Sequence, residues 1–373
     1  MTAVADSSGF KPTDHQALLQ RMSPFAKNLI VWQKQQGRHD LPWQGRRDAY
    51  RVWLSEIMLQ QTQVTTVIPY YRRFLESFPE VTALAQAPLN TVLEHWAGLG
   101  YYARARNLHR CAQLVSDEYG GQFPQTPEAL AGLPGIGRST AAAIAVFAFG
   151  ARAAILDGNV KRVLARCFGI EGFPGAAPVE RSLWALAETL LPEQEIEAYT
   201  QGLMDLGASL CARNKPQCAV CPQQALCVAC REGRQGELPL RRPTKVLPER
   251  EARLLLLCDG EAVFLERRPP TGIWGGLLSL PECAWALVES FATKQGCQLL
   301  AQQALPPKQH TFTHFRLTMH VLLGHVARRE SQVSEPGREW LALADIGKAA
   351  LPTPVRRMLQ AAKLTETTAT THR

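Results

Sequence analysis

A run of cysteines between residues 211 and 230 constrains the fold of this chain more than any other feature. Four of them follow the spacing Cys211-x6-Cys218-x2-Cys221-x5-Cys227, and Cys230 adds a further x2 interval. Thiols clustered in a short polar loop are typical of a metal site. A cubane iron–sulfur cluster uses four closely spaced thiolates, whereas structural zinc sites more often pair two Cys-x2-Cys knuckles across a longer spacer. The spacing therefore favours a [4Fe–4S] cluster on the first four cysteines, while Cys230 keeps zinc binding and ligand exchange open.

The compartment expected for the chain agrees with metal binding rather than with disulfides. The first residues are polar and acidic and lack the apolar stretch of a secretory signal. The most apolar segment, residues 139–151, is shorter than the ~20 residues that cross a bilayer. We therefore expect a cytoplasmic protein, associated with the nucleoid in a bacterium, that has no membrane partner and keeps its thiols reduced.

Hydrophobic periodicity divides the chain into two folded regions. Residues 23–227 carry apolar side chains at helical spacing, with Pro and Gly between the segments, which predicts an all-α domain. Residues 250–362 contain short apolar runs around Asp259-Gly260 and an alternating stretch at 311–326, which predict a smaller domain with strands. The expected fold class is a mainly α N-terminal domain followed by a smaller α/β C-terminal domain.

Three segments lie outside these predicted domains. Residues 1–22 form an N-terminal extension, and residues 363–373 form a low-complexity tail that we expect to be disordered. Residues 228–249 are charged, contain several prolines and have no apolar period, which predicts a linker. Helix starts are predicted where capping residues precede apolar runs, at Ser23, Asp48, Asn90, Thr126 and Ser139.

The charge balance points to a polyanionic partner. The chain has 41 Lys and Arg against 33 Asp and Glu, a net charge of +8, which suits nucleic acid or an anionic membrane surface and fits an ordinary basic enzyme equally well. Gly135 and Gly137 lie between two predicted helices and permit a tight turn whose backbone N–H groups can contact phosphate. The same glycines also fit an ordinary turn between two helices, so the pattern alone leaves both interpretations open.

Two carboxylates have the sequence surroundings that cleavage of a glycosidic bond requires. Glu56 lies in the middle of an apolar helix, where a raised pKa lets a carboxyl group donate a proton. Asp157 ends an apolar run beside Gly158, where capping backbone N–H groups keep a carboxylate ionised. One group can protonate a leaving base while the other stabilises the cationic sugar. Taken singly, Glu56 also fits a partly exposed helix residue, and Asp157 also fits an ordinary cap.

The order of these features resembles the helix–hairpin–helix DNA glycosylase superfamily, in which a hairpin, an aspartate and a four-cysteine loop follow one another. More narrowly, the chain resembles the MutY-type adenine DNA glycosylases. The matching motifs are long and occur in the same order, at residues 41–43, 52–64, 98–108, 156–163 and 204–208. The resemblance extends from about residue 23 to residue 360.

This resemblance implies a base-excision repair enzyme that acts on double-stranded DNA containing A:8-oxoguanine or A:G mispairs. Hydrolytic removal of that adenine prevents G:C to T:A transversions. The adenine is flipped out of the duplex, since its glycosidic bond is unreachable in the stack. By the same resemblance, Glu56 protonates the adenine, Asp157 stabilises the oxocarbenium ion or bonds to it transiently, and Asn159 holds Asp157.

The resemblance also implies binding roles. The four-cysteine loop carries a [4Fe–4S] cluster, Trp43 and Gln201 line the adenine pocket, and Gln61 and Tyr101 enter the base stack beside 8-oxoguanine. The hairpin residues that contact DNA are Gly135, Gly137 and Ser139. Bifunctional relatives of the endonuclease III kind carry a Schiff-base lysine where this chain has Ser139, so a monofunctional enzyme is expected.

The C-terminal domain resembles the MutT-like module of the same family. Residues 272–277 and the triplet Phe312-Thr313-His314 match it. The acidic helix that binds Mg²⁺ in Nudix hydrolases is not present in the sequence, so we expect this domain to read the lesion strand rather than to hydrolyse nucleotides. The family commonly has serine where this chain has Thr313, which keeps the hydroxyl and adds a methyl group.

Two alternatives stand beside the adenine glycosylase hypothesis. One is a bifunctional endonuclease III-like glycosylase/lyase, which Ser139 and the lesion-reading domain disfavour. The other is a non-catalytic iron–sulfur protein that binds DNA, which the presence of both Glu56 and Asp157 disfavours. A monomer is the default expectation for the assembly.

Overall fold

The computed structural model describes residues 14–242, 246–328 and 337–370, with side chains described between residues 23 and 362 of these ranges. Contacts divide the described chain into two compact units. The first unit comprises the described residues up to Ala85 and from Arg110 to 242, and the second comprises Gln86–His109 and the described residues after 245. No helix of the described residues is long and apolar enough to cross a membrane.

The chain before the sheet is helical, as its periodicity predicts. Its helices are α1 (Asp14–Gln36), α2 (Ala49–Leu59), α3 (Val64–Ser77), α4 (Val81–Gln86), α5 (Leu89–His95), α6 (Ala103–Tyr119), α7 (Pro127–Ala131), α8 (Arg138–Phe149), α9 (Gly158–Phe168), α10 (Ala177–Thr189), α11 (Ile196–Ala208) and α12 (Val228–Arg231). Helices α1, α8, α9, α10 and α11 share one core, to which Leu29, Ala143, Val163, Leu183 and Leu203 contribute buried side chains. Helix α2 packs against α8, so the elements that carry Glu56 and Asp157 belong to one packed body.

Two of the predicted helix starts are confirmed in detail. The Asp48 side chain accepts a hydrogen bond from the N–H of Arg51 and caps α2, and Thr126 accepts one from the N–H of Ala129 and caps α7. A side-chain oxygen at this position satisfies a backbone donor that has no partner within the helix. These caps fix where α2 and the first helix of the hairpin begin.

One predicted helix start was wrong, and two others were one residue late. Helix α1 begins at Asp14 and contains Pro24, so Ser23 is not its cap. Helix α5 begins one residue before Asn90, and α8 begins one residue before Ser139. A proline inside a helix removes one hydrogen bond without stopping the helix when packing supports it, which a start rule based on Ser-Pro does not foresee.

The predicted linker is partly folded onto the first unit. Helix α12 packs against α9, and Val228, Ala229 and Leu238 are buried. The carbonyl oxygen of Leu238 accepts a 2.9 Å hydrogen bond from Nε of Arg166. The folded region that contains the cysteine loop (residues 211–227) therefore continues as far as Leu238. A few apolar side chains in this charged segment are buried against the first unit.

The second unit contains one mixed sheet. Its strands are β1 (Glu249–Cys258), β2 (Ala262–Arg267), β3 (Leu278–Ser279), β4 (Cys297–Thr311), β5 (Arg316–Arg328) and β6 (Arg338–Ala342). The order is β3-β2-β1-β5-β4, with β6 pairing with β2, and among the pairs of described strands β1–β5 alone is parallel. Helices α13 (Val288–Lys294) and α14 (Thr353–Thr370) accompany the sheet, and apolar side chains of β1 contribute to two separate buried clusters.

The predicted hairpin at Asp259-Gly260 is confirmed, and its turn is closed by the Asp259 carboxylate, which accepts hydrogen bonds from the N–H groups of Glu261 and Ala262. Two observations differ from the predicted boundaries. Residues 86–109, predicted within the first domain, are grouped with the second unit by their contacts. The tail predicted to be disordered continues α14 as far as Thr370, while residues 1–13 and 371–373 lie outside the described residues.

Candidate active site

One cavity in the first unit collects three of the predicted site residues. It has a volume of about 510 Å³, and Trp43, Glu56 and Gln201 contribute to its lining. Further lining residues come from the loop before α2 and from α2, α8 and α11: Arg38, Leu41, Ser55, Leu59, Phe147 and Met204. A pocket of this size, lined by both apolar and charged or polar side chains, has the dimensions typical of a small-molecule or base-binding site.

Glu56 lies on α2 and lines this cavity. Burial is the main cause that raises the pKa of Glu56 to about 8, and the negative charge of Asp157 adds to the effect. A carboxyl group with this pKa is protonated at neutral pH, because water that would stabilise the charged form is largely excluded. Glu56 is therefore held in the form that can donate a proton.

Asp157 is the N-cap of α9, as predicted. Its Oδ1 accepts a 2.7 Å hydrogen bond from the N–H of Val160. Burial raises the pKa of Asp157, while the backbone N–H groups of Val160 and Asn159 and the nearby charge of Arg162 lower it. The capping donors thus offset only part of the burial. Asp157 does not line the cavity, but its charge acts on Glu56, so the two carboxyl groups belong to one electrostatic site.

Asn159 is held tightly at the start of α9. Its Oδ1 accepts a 2.9 Å hydrogen bond from Nη2 of Arg162, which also donates to the carbonyl oxygen of Gly207 at 2.7 Å. A Cβ on Gly207 would lie 2.6 Å from the Cβ of Asn159, so only glycine permits this approach of α11 to α9. Nε of Arg162 donates to the carbonyl oxygen of Cys211, which joins this end of α9 to the first cysteine of the loop.

Sequence reasoning missed Asp205 and Arg38, which orient Gln201. The Gln201 side-chain amide donates a 2.8 Å hydrogen bond to Oδ1 of Asp205, one turn further along α11. Arg38 donates to both oxygens of this buried carboxylate, from its backbone N–H at 2.8 Å and from Nε at 2.7 Å. The available signal was an aspartate within an apolar helical run, the same signal that identified Glu56.

The cysteines of the loop face one small cavity. Cys211, Cys218, Cys221 and Cys227 all line it, and Cys230 and Cys167 reach it as well. Buried Arg166 crosses the loop and donates to the Cys211 thiol at 3.4 Å and to the carbonyl oxygen of Ala212 at 2.7 Å. The described residues contain no group of three His, Cys, Asp or Glu side chains placed around a single point as one metal ion would need. A cubane cluster instead takes one thiolate at each of four iron atoms.

Two additional cysteines, Cys167 and Cys230, contact two of the four candidate ligands. The pKa of Cys227 is lowered, chiefly because the buried Cys167 thiol donates a hydrogen bond to it, with further help from the backbone N–H groups of Cys230 and Ala229. A sulfur that receives such hydrogen bonds is stabilised as the thiolate, which is the form that binds iron. Cys230 has the opposite effect on Cys218: burial and the contact with Cys230 raise the pKa of Cys218, and burial raises the pKa of Cys221 to about 12. The four thiols that line one cavity fit a four-thiolate cluster by their number and placement.

Comparison with known proteins agrees with this geometry. Residues 54–189 match the model of the HhH-GPD superfamily of base excision DNA repair proteins, and residues 252–361 match the NUDIX domain. Adenine DNA glycosylase of Buchnera aphidicola (subsp. Acyrthosiphon pisum, strain APS) is 35% identical over 343 residues, which cover 90% of this chain and 97% of the relative. This chain belongs to the adenine DNA glycosylase family. The human adenine DNA glycosylase is 33% identical over 405 residues, covering 91% of this chain and 74% of the human protein.

Solved structures agree on the fold of the helical part. A thermostable thymine-DNA glycosylase superposes with a TM-score of 0.53 at 32% identity, covering 58% of this chain and 99% of the other. An endonuclease III trapped covalently on DNA superposes with a TM-score of 0.50 at 22% identity, covering 57% of this chain and 97% of the other, a likeness of fold alone. The predicted family, fold class and enzyme class are thereby confirmed: the protein is a DNA N-glycosylase of base-excision repair with a Nudix-like C-terminal domain.

The hairpin of the glycosylase lies between α7 and α8. Leu133 and Ile136 are buried, and Gly135 has a φ of 79°, in the region that favours glycine. Gly137 is the N-cap of α8 in an extended conformation. Ser139 Oγ accepts a 2.9 Å hydrogen bond from the N–H of Leu156, which places the predicted replacement for a lyase lysine directly beside the Asp157 segment.

The predicted wedge residues occupy strained turns. Gln61 follows α2 with a φ of 58°, and Tyr101 precedes α6 with a φ of 50°. Both values are uncommon for residues with a Cβ and cluster at functional positions in folded proteins. Tyr101 is 52% exposed, an unusual state for a large aromatic side chain, and belongs to the second unit.

The triplet Phe312-Thr313-His314 forms the tight turn between β4 and β5. The N–H of Phe312 donates to the carbonyl oxygen of Phe315 at 2.8 Å, and the two rings stack with centroids 4.5 Å apart. Thr313 and His314 are exposed at the tip, with their side chains 3.4 Å apart. The turn thus presents a hydroxyl and an imidazole on a rigid aromatic base.

Proposed function

We propose that this glycosylase hydrolyses the bond between adenine and deoxyribose in double-stranded DNA, opposite 8-oxoguanine or guanine, without cutting the strand. The observation that carries the proposal is the pair of Glu56 and Asp157. A carboxyl group with a pKa of about 8 stands in a base-sized cavity, and a second carboxylate acts on it electrostatically. Relatives named adenine DNA glycosylase support adenine as the base.

The reaction divides the work between these two groups. The flipped adenine enters the cavity, and Glu56 transfers its proton to a purine nitrogen. The glycosidic bond then breaks, and its electron pair leaves with the neutral base. The Asp157 carboxylate stabilises the positive charge on the sugar until water adds, or bonds to it transiently. Asn159 and Arg162 hold the α9 start in place, which fixes where the Asp157 oxygens point.

Gln201 and Trp43 are proposed to recognise the adenine. Because the Gln201 amide NH₂ is engaged by Asp205, its oxygen is directed to accept a hydrogen bond from the exocyclic amino group of the base. The Trp43 ring packs edge-on against Tyr71 with centroids 5.3 Å apart, which gives the cavity a fixed aromatic wall. A guanine would present a carbonyl oxygen to Gln201 instead of a donor, so this contact selects adenine.

Ser139 and Lys161 support a monofunctional reaction. Strand cleavage by a lyase needs an amine that forms a Schiff base with the sugar, and a hydroxyl cannot form one. The nearby Lys161 pairs with the Glu180 carboxylate at 2.5 Å, which engages its amino group away from the sugar chemistry proposed here. The product expected is an abasic site in an intact strand.

We propose that Cys211, Cys218, Cys221 and Cys227 bind a [4Fe–4S] cluster. When bound, such a cluster would cross-link the loop and hold its shape. Exposed Arg213 and Lys215 lie within the loop, where they can contact DNA phosphates. The hairpin residues Gly135, Gly137 and Ser139 supply the second backbone contact, through N–H groups at the start of α8.

Recognition of the lesion is proposed to come from the opposite side of the mispair. Gln61 and Tyr101 enter the stack beside 8-oxoguanine, where an aromatic ring offsets the loss of base stacking. Phe312, Thr313 and His314 read the oxidised base, with the Thr313 hydroxyl as hydrogen-bonding group. The enzyme is expected to act as a monomer in the cytoplasm, on nucleoid DNA.

One assay tests the proposal. Duplexes carrying A opposite 8-oxoguanine, G or T are incubated with the protein and resolved on denaturing gels with and without alkali. Cleavage of the A strand is expected only after alkali, fastest opposite 8-oxoguanine and not opposite T. Strand cleavage without alkali would identify the bifunctional alternative, and no release by a protein that still binds the duplex would identify the non-catalytic one.

A further inference from the structure

Two hydrogen bonds join the loop that carries Tyr101, and the start of α6 that follows it, to the Nudix-like part of the second unit. The buried Tyr102 donates its hydroxyl to the carbonyl oxygen of Leu351 at 3.1 Å. Nη1 of Arg106, one turn further along α6, donates to the carbonyl oxygen of Gly275 at 2.6 Å. Both acceptors are backbone atoms more than 160 residues away in the sequence, so the contacts belong to the tertiary structure of the second unit.

Around Tyr101 itself, the loop is held by contacts with the nearby residues Trp96 and Arg104. The indole N–H of Trp96 donates to the carbonyl oxygen of Gly100 at 3.1 Å, and Nη2 of Arg104 donates to the same atom at 3.2 Å. The Arg104 guanidinium also lies over the rings of Trp96 and Tyr101, at 5.2 and 5.7 Å from their centroids. A residue at φ 50° keeps that conformation only when its surroundings determine it, and these contacts do so for Tyr101.

On the other side, Gly275 belongs to a rigid turn. A Cβ on Gly275 would lie 2.4 Å from the carbonyl oxygen of Pro270, so the turn is packed against its own backbone. Trp274, the preceding residue, places its ring 5.9 Å from Phe312 and 6.3 Å from His310. Phe312 is the base of the turn that presents Thr313. One continuous set of contacts therefore joins the Tyr101 loop to the lesion-reading turn, and Arg106 is its polar link.

We propose that Arg106 is a positioning residue for lesion recognition. It fixes the position of the Tyr101 wedge relative to the Phe312-Thr313-His314 turn, so that both can act on one nucleotide. The hydrogen bond of Tyr102 to Leu351 is the second contact that holds the same loop. The inference rests on the proposed roles of Tyr101 and Thr313. Opposite 8-oxoguanine both groups must act together, whereas opposite guanine the lesion-specific contact is missing. Loss of this relative placement should therefore slow the reaction on the A:8-oxoguanine substrate more than the reaction on the A:G substrate.

Single-turnover rates on the two mispairs test the proposal in the full chain. In Arg106→Met the apolar stem is kept and the donor is lost, and we expect about a tenfold slower reaction opposite 8-oxoguanine with a smaller loss opposite guanine, since a hydrogen bond from a charged group is removed. Arg106→Lys should restore part of the difference. The matched control is Arg110→Met, an exposed arginine one turn further along α6, which should leave both rates unchanged.

A double-mutant cycle separates positioning from a general structural role. If Arg106 acts through the wedge, Arg106→Met in a Tyr101→Ala background should cost little beyond Tyr101→Ala alone. A 2-aminopurine placed next to 8-oxoguanine should show less unstacking with Arg106→Met than with the unchanged protein, at saturating protein. Equal losses on both mispairs, additive effects in the cycle, or unchanged rates would each overturn the proposal.

The same experiments distinguish a failure of this inference from a failure of the proposed function. If the unchanged protein shows no preference for 8-oxoguanine, or if Tyr101→Ala retains that preference, the assignment of the wedge itself is wrong. If the unchanged protein has the preference and Tyr101→Ala loses it, a normal Arg106→Met variant contradicts only the positioning role.

Discussion

At the scale of single residues, the pKa of Glu56 links catalysis to stability. Folding raises the pKa of Glu56 from 4.5 to about 8, so between these values the unfolded chain ionises while the folded one keeps its proton. The free energy of unfolding therefore falls as pH rises through this range. Glu56→Gln removes the titration, and we expect it to abolish adenine release and to stabilise the protein by about 2 kcal/mol near neutral pH.

The measurement for Glu56→Gln is thermal unfolding across pH, combined with single-turnover kinetics. The difference in Tm between variant and unchanged protein should be small near pH 4.5 and should grow toward pH 8. The rate of the unchanged protein should fall as pH rises through about 8, where Glu56 loses its proton. Adenine release by Glu56→Gln at the normal rate would exclude Glu56 as the acid.

Asp205 gives a second prediction at this scale. Its buried carboxylate accepts from Arg38 and Gln201, so Asp205→Asn leaves the Arg38 charge without its partner and frees Gln201 to turn. We expect a loss of about 2 kcal/mol of stability and a slower reaction on both mispairs. Glu197→Gln is the control, because Glu197 lines the same cavity but pairs with Arg47 at an exposed position. Equal effects of the two variants would argue against the orienting role of Asp205.

At the scale of elements, Arg166 of α9 should decide whether the cysteine loop can hold the proposed [4Fe–4S] cluster. Its guanidinium donates to the Cys211 thiol and to the carbonyl oxygens of Ala212, Arg213 and Leu238. Arg166→Met leaves these acceptors unpaired, and we expect the purified protein to lose most of its iron and its brown colour. Arg213→Met is the matched control, because that exposed side chain should affect DNA binding and its salt dependence while iron stays bound. Full iron content in Arg166→Met would contradict the prediction.

Sequence patterns were sufficient to predict elements that are stabilised by local contacts or that have a regular apolar face. The caps at Asp48, Thr126 and Asp157 were predictable because a side-chain oxygen precedes an apolar run. Strand β4 was not predictable: it is mostly exposed, contains two consecutive prolines beside a register shift, and forms because β5 offers it an edge. Asp205 was not identified as a site residue because its role depends on Arg38, which lies 167 residues away in the sequence.

At the scale of the whole molecule, the contacts assign residues 86–109 to the second unit although the sequence places them among the helices of the first domain. Sequence order did not reveal this, because the contacts of the segment include hydrogen bonds to the distant carbonyl oxygens of Leu351 and Gly275. The segment carries the proposed wedge Tyr101. Lesion recognition and wedge placement are therefore expected to depend on the same unit.

Removal of the chain after residue 242 tests this dependence. The cut keeps Leu238, which the cysteine loop needs, and removes the partners of Tyr102 and Arg106. We expect the truncated glycosylase to melt at a lower temperature, to retain slow adenine release opposite guanine, and to lose its preference for 8-oxoguanine. Full-length Thr313→Ala is the comparison: it should keep its Tm and lose only part of the preference. A truncated protein that keeps its Tm and slows equally on both mispairs would show that the C-terminal unit neither reads the lesion nor supports the wedge.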